Sequence, residues 1–295
     1  MWLTLLGTGC PVVDTQRFGP ATLIRAQGRA VLIDCGSGVT QRLLAAGMPG
    51  CDLDAVLLTH LHSDHIVDLF QLVISSWHQG RDQPQRLFGP KGTKRYVEGL
   101  MKLWQPELKQ RIAHERRSST AALEIEVTEI KAGPVIAFDG VAIEAIEVDH
   151  RPVRHAFGFS ISDADRRLVV SGDTAPCDSL KAAAKGADLL VHEVFAHGGM
   201  LPIEGLRTAD TVRNVATYHT LSGEVGKLAA ECDVGCLALT HFVPPDADRA
   251  ELLAEVAADF AGPVVLGEDL MTFDLAAGTV RHGLAHWSLG TRRRR

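Results

Sequence analysis

Residues 59–65 read THLHSDH. His60, His62, Asp64 and His65 are four good metal ligands in six positions, directly after the apolar run AVLL (55–58). His60 and His62 stand two apart in a segment leaving a strand, so both rings can turn to one point. Asp64 and His65 lie one turn on, at a helix start, which suits a second ion nearby. Imidazole with carboxylate fits Zn2+, and Mn2+ or Fe2+ would also be accepted. Four side chains in one loop do not complete two sites, so other ligands must come from further along the chain.

The sequence offers them in matching places. His150 follows AIEV, Asp173 follows LVVSG, His192-Glu193 follows DLLV, and His241 follows CLALT. Each polar residue sits where an apolar run ends, and in an α/β protein such ends collect along one edge. Any one of them alone is an ordinary loop or cap residue; their joint occurrence beside HLHSDH argues for a site. His155, in DHRPVRH, rivals His150 for the third histidine, and His150 is preferred because it follows its strand directly.

The elements that must carry these residues are short. LTLLG (3–7), ATLIRA (21–26), AVLIDC (30–35) and DAVLLTH (54–60) read as strands, and GVTQRLLAAG (38–47) as a helix stopped by Gly47. Ile66, Leu69, Phe70 and Val73 mark one helical face, with Ser63 or Asp64 as its cap. Residues 77–117 are polar and mostly helical, an insertion beside the site or at a homodimer contact. VIAFDGVAIEAIEV (135–148) predicts a hairpin turning at Asp139-Gly140, and further strands alternate with helices up to PVVLGED (263–269). The two halves share this rhythm. Two facing mixed sheets with helices outside, in one domain over 1–295, satisfy it.

Composition narrows the function classes. The net charge of −6 argues against a nucleic-acid-coating protein, and 5% aromatics against broad base-stacking platforms. The cysteines at 10, 35, 51, 177, 232 and 236 form no C-x-x-C pair and read as free thiols of a reducing, cytoplasmic protein. MWLTLLGTGC is neither a signal peptide nor a membrane span, and the closing RRRR (292–295) reads as a solvated tail.

THLHSDH matches the H-x-H-x-D-H signature of the metallo-β-lactamase superfamily, and SGDT (171–174) and LTHF (239–242) match its later metal motifs. LLGTGCP, LIDCGSG and FGPKGT also resemble this family, nearest its ribonuclease Z and aryl sulfatase branches. The resemblance covers essentially the whole chain. It implies an α/β fold, an αββα four-layer sandwich, with a two-Zn2+ site on one edge. It assigns His60, His62 and His150 to one ion, Asp64, His65 and His241 to the other, and Asp173 to both. HEVF (192–195) and the later HTLSGEVGKLAA are similar to the HEAT and HST segments of ribonuclease Z. The match implies that His219 donates a proton to the leaving group with Glu193 in support, although Val194 and Phe195 depart from HEAT. Asp64 would orient the attacking water as well as ligate.

A phosphodiester uses all of these parts, because its leaving group needs a proton and its transition state is anionic. The expectation is therefore a zinc phosphodiesterase related to ribonuclease Z, acting on small phosphodiesters. A sulfate ester is the next substrate class, ahead of a lactone or thioester. A di-iron redox protein or a metal-free binding module fits less well. RNA is not favoured: only HRPVRHAFGFSISDADRRLVVSGD joins His150 to Asp173, too short for the basic arm that bacterial ribonuclease Z uses to grip transfer RNA.

Overall fold

The computed structural model describes residues 1–138 and 140–289. Asp139 of the expected hairpin turn and the 292–295 tail lie outside the described residues. The first half forms β1 (Trp2–Gly7), β2 (Ala21–Ala26), β3 (Arg29–Ile33), β4 (Ala55–Leu57), β5 (Gln85–Gly89) and β6 (Ile125–Glu129). The second forms β7 (Gly133–Phe138), β8 (Val141–Val148), β9 (Ala156–Ser162), β10 (Arg167–Val170), β11 (Leu189–Phe195), β12 (Leu237–Val243) and β13 (Val264–Leu266). The chain then returns as β14 (Met271–Asp274), β15 (Thr279–His282) and β16 (Ala285–Ser288).

Two mixed sheets result. One runs β16-β15-β14-β1-β2-β3-β4-β5-β6, the other β13-β12-β11-β10-β9-β8-β7. The hairpin of β7 and β8 closes with Phe138 opposite Val141. Strand residues alternate between two apolar faces: Leu3, Leu5, Val31, Ile33 and Leu57 meet Phe157, Phe159, Leu189 and Val191 between the sheets. Leu6, Leu23, Leu32 and Val56 point the other way, onto α1 (Val39–Ala45), then across the short α2 (Ser63–Ile66) to α3 (Leu69–His78) and α4 (Thr93–Glu115). The second sheet is covered in the same manner by α5 (Asp178–Ala184), while α6 (Ala209–Ala216) packs near the site edge and α7 (Ser222–Glu231) and α8 (Arg249–Asp259) complete the outer layer. The layer order is helix, sheet, sheet, helix, the expected αββα sandwich. Among the described residues no helix is long and apolar enough to cross a membrane.

Two details differ from the sequence reading. The helical face from Ile66 to Val73 is split: α2 stops at Ile66 and α3 starts at Leu69. Cys35 causes the break, because its N–H donates to His65 O (2.7 Å) and its carbonyl accepts from Asp68 N (3.0 Å). His62, not Ser63 or Asp64, occupies the N-cap position, with no side-chain cap bond. Residues 85–89, inside the polar stretch 77–117, form β5, a parallel strand between β4 and β6.

The inter-sheet layer makes a stability prediction. Phe159 is fully buried there, and truncating a buried phenylalanine costs about 3–5 kcal/mol. Phe159→Ala should lower the urea midpoint accordingly. A loss under about 1 kcal/mol would show that this layer is not close-packed.

Candidate metal centre

The loop carrying His60 to His65 is held by a residue just beyond β3. Asp34 is buried and left-handed (φ 61°). Its carboxylate accepts from Thr59 N (2.8 Å), Thr59 Oγ1 (2.8 Å) and His65 Nδ1 (2.8 Å). With its hydroxyl proton given to Asp34, Thr59 Oγ1 accepts from His60 Nδ1 (3.0 Å). Thr59 O accepts from Phe157 N (2.9 Å), which ties the loop to the other sheet. Both Nδ1 atoms carry the hydrogen, so the Nε2 lone pairs of His60 and His65 point inward.

The remaining side chains arrive from strand ends on the second sheet. His150 follows β8 and donates Nδ1–H to Tyr218 O (2.9 Å), leaving Nε2 3.2 Å from His62 Nδ1. Asp173 follows β10 through Gly172, whose left-handed backbone (φ 62°) passes so close that a Cβ would lie 2.5 Å from Phe157 O. His241 sits within β12 at φ 45°, where the register against β11 slips between Glu193 and Val194. That bulge turns its ring toward the cluster.

Asp173 is the point of convergence. Its Oδ2 lies 3.3 Å from His65 Nε2, 3.4 Å from His241 Nε2, 3.8 Å from His60 Nε2 and 4.0 Å from His150 Nε2. Asp64 Oδ2 lies 3.3 Å from His241 Nε2 and 3.5 Å from His65 Nε2. Ligand atoms of His60, His62, His150 and Asp173 fall within 4.8 Å of one another, and so do those of Asp64, His65 and His241. His155 is exposed and belongs to neither group. His192 is fully buried and spends Nδ1 on Glu193 O (2.7 Å), a core position.

The chemistry of this set fits divalent cations. His60 Nε2 and His65 Nε2 are buried without a hydrogen-bond partner among the described residues, an arrangement that is costly unless something accepts their lone pairs. Burial pushes His60, His62 and His150 below the usual imidazole value, toward the neutral form that ligates. Burial alone would raise Asp173, but the imidazoles of His241 and His65 hold its carboxyl well below the usual range.

Glu193 lies within β11, beside this cluster, where the register against β12 slips. Its Oε1 accepts from Thr174 N (3.1 Å), Thr220 N (3.1 Å) and His219 Nδ1 (2.9 Å). His219 also offers a ring nitrogen within 4.8 Å of ligand atoms of Asp173 and His241. Sequence reading assigned no role to Asp34, Thr59 or the Tyr218 carbonyl. Asp34 carried a usable signal, since it ends an apolar strand just as the other polar residues do.

Burial would lower the His219 pKa, but the Glu193 charge and hydrogen bond outweigh it and push it up to about 9. That folded value lies above the ordinary 6.5, so in the metal-free protein the pair stabilises the fold fully below about pH 6.5 and this contribution is lost as pH rises through about 9. Glu193→Gln removes the charge and leaves the burial, so His219 should titrate at distinctly lower pH. Histidine nitrogen NMR of the metal-free protein reads this directly, and an unmoved titration would rule out Glu193 as the counter-charge.

Known proteins similar to this chain in sequence and in fold are numerous. A family model described as Anti-Pycsar protein Apyc1 matches residues 1–200. Ribonuclease Z of Mycobacterium bovis (strain BCG / Pasteur 1173P2) is 41% identical over 273 residues, covering 91% of this chain and 96% of its own. In structure, the metallo-beta-lactamase fold protein YhfI from Bacillus subtilis superposes with a TM-score of 0.71 at 21% identity, over 92% of this chain and 98% of its own. Human tRNase Z, short form (ELAC1), gives 0.69 at 22%, over 93% and 99%. This chain belongs to the ribonuclease Z and Apyc1 families and is a metal-dependent hydrolase of the metallo-β-lactamase fold.

Proposed function

We propose that this protein is a binuclear zinc phosphodiesterase. The observation that carries the reading is the convergence of histidine nitrogens on Asp173 Oδ2, with the Glu193–His219 pair beside it. In this reading His60, His62 and His150 hold one Zn2+, Asp64, His65 and His241 hold the other, and Asp173 serves both. Two such ions supply, when bound, a water of near-neutral pKa and positive charge facing the transition state. Asp64 orients that water. His219, kept protonated by Glu193, donates to the departing alkoxide. A lactone or thioester has less need of that acid, which favours a phosphodiester. A sulfate ester would use the same parts. Six unpaired thiols suit a cytoplasmic location.

The favoured substrate is a small phosphodiester. Precursor transfer RNA is a second reading, supported by the relatives' name. Between His150 and Asp173 the chain forms only β9, β10 and their connections, with no arm. The arm's absence does not separate this chain from those relatives, however. The 273 aligned positions against the Mycobacterium bovis protein fall on 91% of a 295-residue chain, about 268 residues, which leaves no room for an arm-sized insertion there either.

Two measurements test the reading. Metal analysis of protein purified without chelator should find close to two ions per chain, the number that two ligand groups joined by Asp173 require. Asp173→Ala should empty at least one position, and full metal content in that variant would sink the assignment. On the zinc-loaded enzyme, His219→Ala should slow diesters with poor leaving groups by roughly 10²–10⁴-fold while sparing activated nitrophenyl diesters. Equal losses would point to a structural role. Running nitrophenyl sulfate, a lactone and a labelled precursor transfer RNA beside the diesters decides the substrate class. Efficient cleavage after the discriminator base would make the second reading the right one.

A further inference from the structure

A cavity of about 420 Å³ opens directly beside Asp64. Pro11, Val12, Val13, Phe18 and Val67 are the apolar side chains of its wall, beside Cys10. The volume falls within the range of roughly 300–1,000 Å³ usual for small-molecule sites.

The wall is rigidly built. The loop after β1 closes on itself through Gly9 N to Phe18 O (2.8 Å). Buried Asp269 accepts from Thr8 N (2.9 Å) and Phe18 N (2.8 Å), fixing both ends of the loop. Arg17 runs beneath it, donating to Thr8 Oγ1 (2.7 Å), Gly267 O (2.8 Å) and Pro245 O (3.1 Å). Phe18 is braced by the Arg42 guanidinium over its ring at 4.2 Å. Against this fixed base Val12, Val13 and Val67 are 53%, 94% and 55% exposed. Apolar side chains held open to water beside a reaction centre gain free energy only when an apolar group covers them.

We infer that this cavity is the subsite for the organic group that the phosphoester carries beside its scissile bond, and that it selects a planar aromatic or heteroaromatic group over a small alkyl group. The inference rests on the phosphodiesterase reading. A flat ring offers the largest apolar area for the fewest rotatable bonds, so it loses least on being ordered. The polar groups near the rim suit a ring with heteroatoms better than a bare hydrocarbon chain: Ser37 can donate and the Asp14 carboxylate can accept. Among the described residues no lysine lines the cavity, and Arg17, its lining arginine, is already bonded, so these residues offer no free cation to a further phosphate of a polynucleotide.

The test compares methyl, phenyl and thymidine 5′ p-nitrophenyl phosphates on the zinc-loaded full chain. These share a leaving group, so the chemical step is common. The phenyl and thymidine esters should show KM lower by at least about tenfold with kcat little changed. Ser37→Trp, which fills the cavity, and Val67→Ser, which removes apolar wall, should each draw that ratio toward one. Equal KM across the series, or a ratio untouched in both variants, overturns the subsite. If none of the esters turns over, the phosphodiesterase reading fails on its own account. The subsite is then judged by calorimetry with phenylphosphonate against methylphosphonate: the same preference upholds it, and equal affinities overturn it.

Discussion

A carboxylate buried among imidazoles sets the terms for the rest of this molecule. Asp173 is 3% exposed, and His60, His65, His150 and His241 around it are 0–3% exposed. Removing so many polar groups from water is unfavourable unless they satisfy one another or a cation. They do so only partly among themselves, because among the described residues the Nε2 atoms of His60 and His65 are left without a hydrogen bond. His65 also feels opposing pulls: burial favours its neutral form, while Asp173 and Asp34 raise its pKa. A cation at its Nε2 lone pair would favour the neutral ring, and Asp34 keeps the hydrogen on Nδ1. Metal affinity, protonation and the stability of this edge are thus one linked equilibrium.

The backbone bends to meet that requirement at two strand exits and one bulge. Asp34 after β3, Gly172 after β10 and His241 within β12 all adopt left-handed conformations, at φ 61°, 62° and 45°. Two of the three carry side chains for which this region is unfavourable. The reason is geometric: a strand that simply continued would send alternate side chains into the sheet layers, not over the edge. One left-handed residue turns the chain across the end of the sandwich. The close approaches at Gly36 and Gly172, where a Cβ would lie 2.7 Å from Asp64 O and 2.5 Å from Phe157 O, belong to the same bend.

This explains what could and could not be read from the sequence. The unbroken or nearly unbroken apolar runs in LTLLG, AVLIDC and RLVVSG report strands buried on both faces, so the layered fold was legible. The polar residues terminating those runs made the cluster legible too, and His60, His62, Asp64, His65, His150, Asp173 and His241 are brought together. Periodicity says nothing about left-handed turns, so the bulge at His241 was not visible, and the run AVLI before Asp34 marked its place but not its hydrogen bonds to Thr59 and His65. The split between α2 and α3 escaped for a related reason. Ile66, Leu69, Phe70 and Val73 keep helical spacing across it, while the competing bonds come from Cys35, remote in sequence. β5 was hidden because QRLFG is short and half polar, although Gln85, Leu87 and Phe88 are all buried.

Glu193 ties His219 to the cluster through one oxygen. Its Oε1 takes the N–H of Thr174, next to Asp173, the N–H of Thr220, next to His219, and the imidazole hydrogen of His219 itself. Thr220 Oγ1 closes the loop by donating to Thr174 O (2.7 Å). The carboxylate that sets the charge on the histidine therefore also fixes the spacing between that histidine and the residue at the centre of the cluster. A hydrogen-bond acceptor without the charge could preserve the spacing and not the protonation state, whereas a charge placed elsewhere could preserve protonation and not the spacing. A carboxylate at this position in β11 meets both demands. This gives a physical reason for Glu193 to stand there even though Val194 and Phe195 depart from the family's usual residues.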